Sequence, residues 1–209
     1  MKFAFASLPA ILLCTLCYAA DSDAPNIAAG DTWRYQDVSE TASGSNQITK
    51  QITVTRVADG RIEYTLQQND VTQTRTAQAD WGRVLTVNGQ DRVIDRPLFF
   101  PVEHGQTWNL HSAGPVSEHG NATEVRDEQY SVDGVEMVNV AAGRFKTFRI
   151  EAQAQWTIEP GHIRGHSSRT LWYAPDAKRW VKAEETTFDA NDQQRAHVSE
   201  ELVSMKVAP

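Results

Sequence analysis

The sequence predicts an all-β protein, a single antiparallel curved sheet or a half-open β-barrel. Three observations predict it. Apolar and polar residues alternate with a period of two, turn dipeptides punctuate the alternating runs, and no stretch sustains a helical period over a long segment. Alternation of this kind belongs to antiparallel sheet with one face on a core and the other toward water.

The elements follow in chain order. Residues 1–20 read as a cleaved secretory signal. Lys2 supplies the short basic region, Leu8, Ile11, Leu12, Leu13 and Leu16 the apolar one, and Tyr18-Ala19-Ala20 the small residues before the acidic Asp21-Ser22-Asp23. No basic stop follows, so the segment predicts export and not a transmembrane span. Both cysteines, Cys14 and Cys17, lie inside this signal. The exported chain therefore has no disulfide, thiolate metal site or cysteine nucleophile, which fits a bacterial periplasm. Each cysteine follows a leucine, which argues against lipoprotein processing. Residues 21–29 form a lead-in. Residues 30–209 form a single β domain, large enough for one core.

Within that domain, residues 47–57 are dense in Ile, Thr and Val, which suit a pleated surface. Ile62, Tyr64 and Leu66 alternate with Arg61, Glu63, Thr65 and Gln67. Phe148, Ile150, Ala152, Ala154, Trp156 and Ile158 alternate with polar residues over a longer run. Weaker strands are predicted over residues 130–140, 170–173, 180–185 and 202–207. Val198, Leu202 and Met205 also have helical spacing, so a helix over residues 195–205 competes with the last strand. Asp59-Gly60 and Asp133-Gly134 predict tight hairpin turns, Asn88-Gly89 and Ala142-Gly143 further turns, and residues 189–192 a looser one. Residues 111–121 are predicted as the longest loop. Gly30-Asp31-Thr32-Trp33-Arg34-Tyr35 is echoed by Gly105-Gln106-Thr107-Trp108-Asn109-Leu110, two similar strand starts and too few units for a repeat architecture.

Three motifs carry a family resemblance: Gly30-x-x-Trp33-x-Tyr35; Val138-x-Val140-x-x-Gly143-x-Phe145-x-Thr147-x-x-Ile150; and Trp172-Tyr173-x-Pro175 followed by Val181-Lys182. In this order they resemble the DUF3108-like family of uncharacterised exported bacterial proteins. The resemblance implies a curved, barrel-like antiparallel sheet similar to lipoprotein-carrier folds, and it brings no catalytic residues.

The residues supply no recognisable chemistry of their own. The net charge of −7 and the lack of a basic stripe argue against nucleic acid as a partner. His162 and His166 would stand about 13 Å apart on one strand, too far to share an ion. His104, His111 and His119 have no partner at diagnostic spacing. Ser167-Ser168 lacks a nucleophile elbow. Glu184-Glu185 and Glu200-Glu201 point to opposite faces of a strand. The expectation is no catalytic set, no metal site and no cofactor. Aromatic residues are the candidate ligand contacts: Trp33, Tyr35, Trp108, Trp172 and Tyr173, with core filling as the competing reading. Trp172 and Tyr173 are neighbours on one strand, so at most one of them enters a one-sided core. The functional expectation is a periplasmic, non-enzymatic binding protein for a lipid or other apolar ligand, or for an envelope component. The alternatives are an envelope scaffold that engages another protein, and a hydrolase using a loop histidine. N-terminal sequencing of the exported product is expected to begin at or close to Asp21. A product that retains Met1 overturns the assignment of residues 1–20.

Overall fold

The structure is a computed structural model that describes residues 21–87, 89–116 and 121–209. The signal expected over residues 1–20, Asn88 of one predicted turn, and residues 117–120 of the predicted loop, with His119, lie outside the described residues. The strands are β1 (Asp21–Ser22), β2 (Thr32–Thr41), β3 (Gly44–Ala58), β4 (Arg61–Gln68), β5 (Val71–Gln78), β6 (Arg83–Val87) and β7 (Gln90–Asp95). They continue with β8 (Val102–Glu103), β9 (Thr107–Pro115), β10 (Thr123–Val140), β11 (Gly143–Glu159), β12 (Ile163–Ala174), β13 (Arg179–Asp189) and β14 (Gln194–Lys206). A 3-10 turn, Pro175–Ala177, joins β12 to β13. No helix among the described residues is long and apolar enough to cross a membrane.

Twelve strands form one antiparallel sheet in the order β7-β6-β5-β4-β3-β2-β14-β13-β12-β11-β10-β9, and β1 pairs with β8 apart from it. This is two six-stranded meanders, β2 to β7 and β9 to β14, joined where β2 pairs with β14. The sheet curls until its two ends, β7 and β9, meet. No ladder joins them. Instead the Trp108 indole donates to the Arg96 carbonyl at 3.0 Å, and Gly114 on β9 faces the side chains of Ile94 and Leu85. The result is a nearly closed barrel, which leaves few free edges.

The predicted alternation on β11 places Phe148, Ile150, Ala152 and Ala154 inside, with Gln153 and Gln155 in water. Asp59-Gly60 makes a tight turn between β3 and β4, with φ of 54° and 73°. Residues 195–205 are strand, because β14 must pair on both sides, with β13 and with β2. Two local expectations fail. Asp133-Gly134 is not a turn: β10 runs straight through it, and the pairing with β11 jumps from Val132 to Gly134, leaving Asp133 as a bulge. Residues 111–115, expected in a loop, are the end of β9 paired with β10. Gly165 sits mid-strand because a Cβ there would strike the Trp156 ring and the Phe188 carbonyl.

The two echoed segments have the same backbone arrangement. Gly30 and Gly105 both have positive φ. Gly30 N–H donates to the Val54 carbonyl at 2.8 Å, and Val54 N–H donates back to Asp31 at 2.9 Å. Gly105 N–H donates to Val132 at 2.9 Å, and Val132 N–H donates back to Gln106 at 2.9 Å. Each glycine thus opens the first strand of one meander and sends its tryptophan into the core.

One end of the barrel is filled. Trp33, Tyr35, Leu98, Tyr130, Ile150, Leu171, Tyr173 and Leu202 are fully buried there. Leu98 and Val102 enter from the segment between β7 and β9. Beside this core lies the buried ion pair of Lys178 and Asp31, 3.2 Å apart. Lys178 also donates to the Asn26 carbonyl at 2.6 Å, while Asp31 accepts from the N–H of Ala28 at 3.0 Å and of Ala208 at 2.7 Å. Breaking such a pair on one side leaves a buried charge and costs about 3–5 kcal/mol. Asp31→Asn is therefore expected to lose stability on that scale in urea unfolding, and adding Lys178→Met is expected to restore part of it. A double variant weaker than the single one would show that the charge on Lys178 has another partner.

Candidate functional site

The inner face of the sheet changes chemistry along the strands. On β2, Trp33 and Tyr35 are followed on the same face by Asp37, and on β3, Val54 and Ile52 by Lys50. On β14, Leu202 is followed by Glu200. On β12, Tyr173 and Leu171 are followed by Arg169 and Ser167, and on β10, Tyr130 by Glu128 and Arg126. One end of the barrel is therefore apolar and the other is charged. A cavity of about 650 Å³ lies on this face, with six basic and five acidic side chains in its wall and Tyr64, Trp81 and Trp180 beside them. A second cavity, of about 500 Å³, lies against Arg96, Phe99, Phe100 and the turn between β3 and β4. The larger one is the candidate site, since the buried charges converge there.

Two ion networks line it. In the first, Arg169 bonds Asp95 at 2.9 Å and the Tyr130 hydroxyl at 2.9 Å. That hydroxyl lies 3.0 Å from Glu128 and 3.2 Å from Asp95, so its single proton serves one of them. Arg126 reaches Glu128 at 3.1 Å, Glu185 at 3.1 Å, Glu124 at 3.3 Å and the Ser167 hydroxyl at 2.7 Å. In the second, the Lys50 ammonium sits between Glu200 and Asp37, the latter at 2.9 Å, and the Trp180 indole donates to Glu200 at 2.6 Å.

The networks split their carboxylates. Burial raises Glu128 above the usual range, opposed by Arg169 and Arg126. Burial acts likewise on Asp95, but Arg169 outweighs it and holds that group low. Burial raises Asp37 despite Lys50, and its Oδ1 has no hydrogen-bond partner among the described residues. On Glu200 burial is overcome by Lys50 and Arg179, so it is held low. The Lys50 ammonium is raised, since the two carboxylates outweigh its own burial.

Three arginines in the wall, Arg75, Arg83 and Arg179, make no ion pair among the described residues. Arg179 is the buried one, 6% exposed. Its guanidinium carbon lies 4.1 Å from the Trp81 ring centre and 3.8 Å from that of Trp180, contacts each worth about 2 kcal/mol when desolvated. Its Nε and Nη1 are enclosed without a hydrogen-bond partner among the described residues.

The aromatic candidates stand elsewhere. Trp33 and Tyr35 are core residues, donating to the carbonyls of Ala177 at 2.7 Å and Trp180 at 2.7 Å. Trp108 stacks on Tyr130 at 4.9 Å between ring centres. Tyr173 is fully buried, and burial pushes its hydroxyl up to about 12. Trp172 lies on the opposite face, as the strand alternation requires, where it donates to Glu136 at 2.6 Å under the Lys182 ammonium. None of the five lines the larger cavity. The residues that do line it carry a sequence signal that composition hides: a charge in phase with an apolar period-two stripe. His162 is exposed and bonds Glu159, and no group of three potential metal ligands occurs among the described residues.

Several solved structures resemble this chain, three of them as follows. One is an exported protein of YmcC-like fold from Bacteroides fragilis, 14% identical over 90% of this chain and 100% of that one, with a TM-score of 0.45. Another is a lipoprotein from Parabacteroides distasonis, 12% identical over 88% and 99%, with a TM-score of 0.49. The third is the hypothetical lipoprotein YmcC of Escherichia coli, 13% identical over 81% and 86%, with a TM-score of 0.43. Likeness at this level assigns neither site nor function. No protein-family model and no curated protein matches the chain.

The Lys50 cluster makes an asymmetric prediction. Glu200 is held low, so its contribution to stability is present above its unfolded value and is lost as pH falls through its folded one. Asp37 is held high, so its contribution is present only in acid and is lost as pH rises through its folded value. At pH 7, Glu200→Gln is expected to cost about 1–3 kcal/mol, a loss that shrinks in acid, whereas Asp37→Asn is expected to be neutral or stabilising. Equal losses in urea unfolding would show that the ammonium serves both carboxylates alike.

Proposed function

We propose that the protein is a non-enzymatic binding protein of the bacterial envelope, periplasmic after loss of residues 1–20, that holds a small polar ligand in the charged end of its nearly closed barrel. The observation that carries this reading is the cavity of about 650 Å³ on the inner face of the sheet, with charged walls and aromatic residues beside them. Its size suits a small molecule. The exported character rests on the chain's N-terminal pattern and on the resemblance to DUF3108-like proteins.

The five aromatic candidates pack in the core or on the outer face. A polar ligand, or one with a polar head, therefore suits the wall better than a purely apolar one. None of the described histidines lines the cavity, which gives the hydrolase alternative no support there. The scaffold alternative needs a free sheet edge, and the two ends of this sheet face each other.

The protein would be purified from its native envelope without detergent and denatured, and its aqueous and organic extracts examined by mass spectrometry. A polar molecule at about one per chain is expected. A stoichiometric lipid without a polar head would favour the apolar ligand. A protein with no bound molecule, whose tryptophan fluorescence and thermal midpoint ignore a panel of polar and lipid probes, would end the binding reading.

A further inference from the structure

We propose that Arg179 is the anion-recognition residue of the cavity, and that the ligand carries a carboxylate or phosphoryl group which this guanidinium receives. The inference rests on the binding reading above and adds the charge of the ligand.

A guanidinium keeps its charge throughout the physiological range, and a buried charge without a counter-ion is costly. Arg179 is 6% exposed and borders the cavity, yet no carboxylate among the described residues bonds it. The carboxylates of the wall are committed elsewhere: Asp95 to Arg169, Glu124, Glu128 and Glu185 to Arg126, and Glu200 to Lys50 and the Trp180 indole. Glu200 acts on Arg179 only through space. Trp81 and Trp180 hold the guanidinium by its faces, which fixes its plane without using its N–H donors. Arg75 and Arg83, on the same wall, also lack carboxylate partners among the described residues. The wall itself carries six basic side chains against five acidic ones, with three of the carboxylates crowded on Arg126, so positive charge is left on Arg179 without a bonded partner. The counter-charge that completes the site comes from outside the chain, and an oxyanion matches the donors that arginine offers.

The test uses the exported protein and reads its tryptophan fluorescence, because Arg179 touches two indoles. Acetate, inorganic phosphate, glycerol 3-phosphate and phosphatidylglycerol vesicles are titrated at matched ionic strength, with potassium chloride as control. A saturable response to at least one oxyanion is expected, absent with chloride, together with a rise in thermal midpoint. A response to the soluble phosphates or acetate assigns a free anion, and a response to vesicles alone assigns a lipid headgroup. Arg179→Gln is expected to weaken binding at least tenfold, with Arg179→Lys intermediate. Arg179→Met loses the two ring contacts along with the charge, so its midpoint is compared with and without phosphate, and the rise with phosphate is expected to vanish. A response equal to that of chloride, or unchanged in Arg179→Gln and Arg179→Met, overturns the inference. If the envelope-purified protein carries a neutral or cationic molecule instead, the binding reading stands and this inference falls.

Discussion

The buried pair of Asp31 and Lys178 is the constraint on which the rest of the molecule depends. Asp31 stands just before β2 and gathers the N–H of Ala28 and of Ala208, so the lead-in and the C-terminal end meet on one carboxylate. Lys178, its partner, closes the 3-10 turn in a left-handed conformation with φ of 58°. Around that turn, backbone carbonyls accept three aromatic heads: Ala177 from Trp33, Lys178 from Trp81 at 2.9 Å, and Trp180 from Tyr35. Arg179 follows Lys178 directly. The pair therefore fixes the turn, the turn fixes the indoles, and the indoles fix the guanidinium at the edge of the cavity.

The second organising feature is the taper from apolar to charged along the barrel. A sheet of twelve strands curled on itself encloses more space than one set of side chains fills. At the end near the Asp31 pair, the space is taken by Leu98 and Val102 from the segment between β7 and β9, and by the edge-to-face contact of Trp33 with Trp81 at 5.3 Å. Among the described residues no such plug reaches the other end, where long charged side chains stand. Their electrostatics follow from shared partners: Lys50 between two carboxylates, Arg126 among three. Burial pushes Asp37 toward its neutral form and the Glu200 charge adds to that, while Lys50 and Arg179 overcome burial at Glu200 and keep it charged.

Much of the fold was legible in the sequence because period-two alternation is a direct record of a one-sided sheet. β11 could be read residue by residue, and Asp59-Gly60 named its own turn. Asp133-Gly134 misled because the same dipeptide serves a bulge when the partner strand continues, and β11 extends beyond it to Gly143. The end of β9 was hidden by Gly114 and Pro115, which read as loop residues. The site was less legible for a different reason. Searching by residue type selects tryptophan and tyrosine, which are also the residues that best fill a core. Asp37, Lys50, Arg169 and Glu200 occupy inward positions in register with Tyr35, Ile52, Leu171 and Leu202, but apart from Val38 their neighbours on the outer face are polar too, so the phase is visible only once the strand is known. Arg179 carried no periodic signal, because it lies at the junction between the turn and β13.

The energetics of the charged end bear on why it exists. Buried ion pairs are weak contributors to folding, since desolvation offsets most of their attraction and apolar replacements of similar volume are often neutral or stabilising. The apolar end, with its fully buried aromatic and aliphatic side chains, supplies burial at roughly 25 cal/mol per Å² and does not need help from the other end. Folding alone therefore does not call for six basic and five acidic side chains around one cavity. The polar occupant proposed above would account for them, because a wall of fixed charges and donors can trade its water for a ligand at little reorganisation cost. The division of labour is thus along the barrel axis: one end holds the structure together, and the other stays polar and incompletely paired, with Arg179 at the boundary between them.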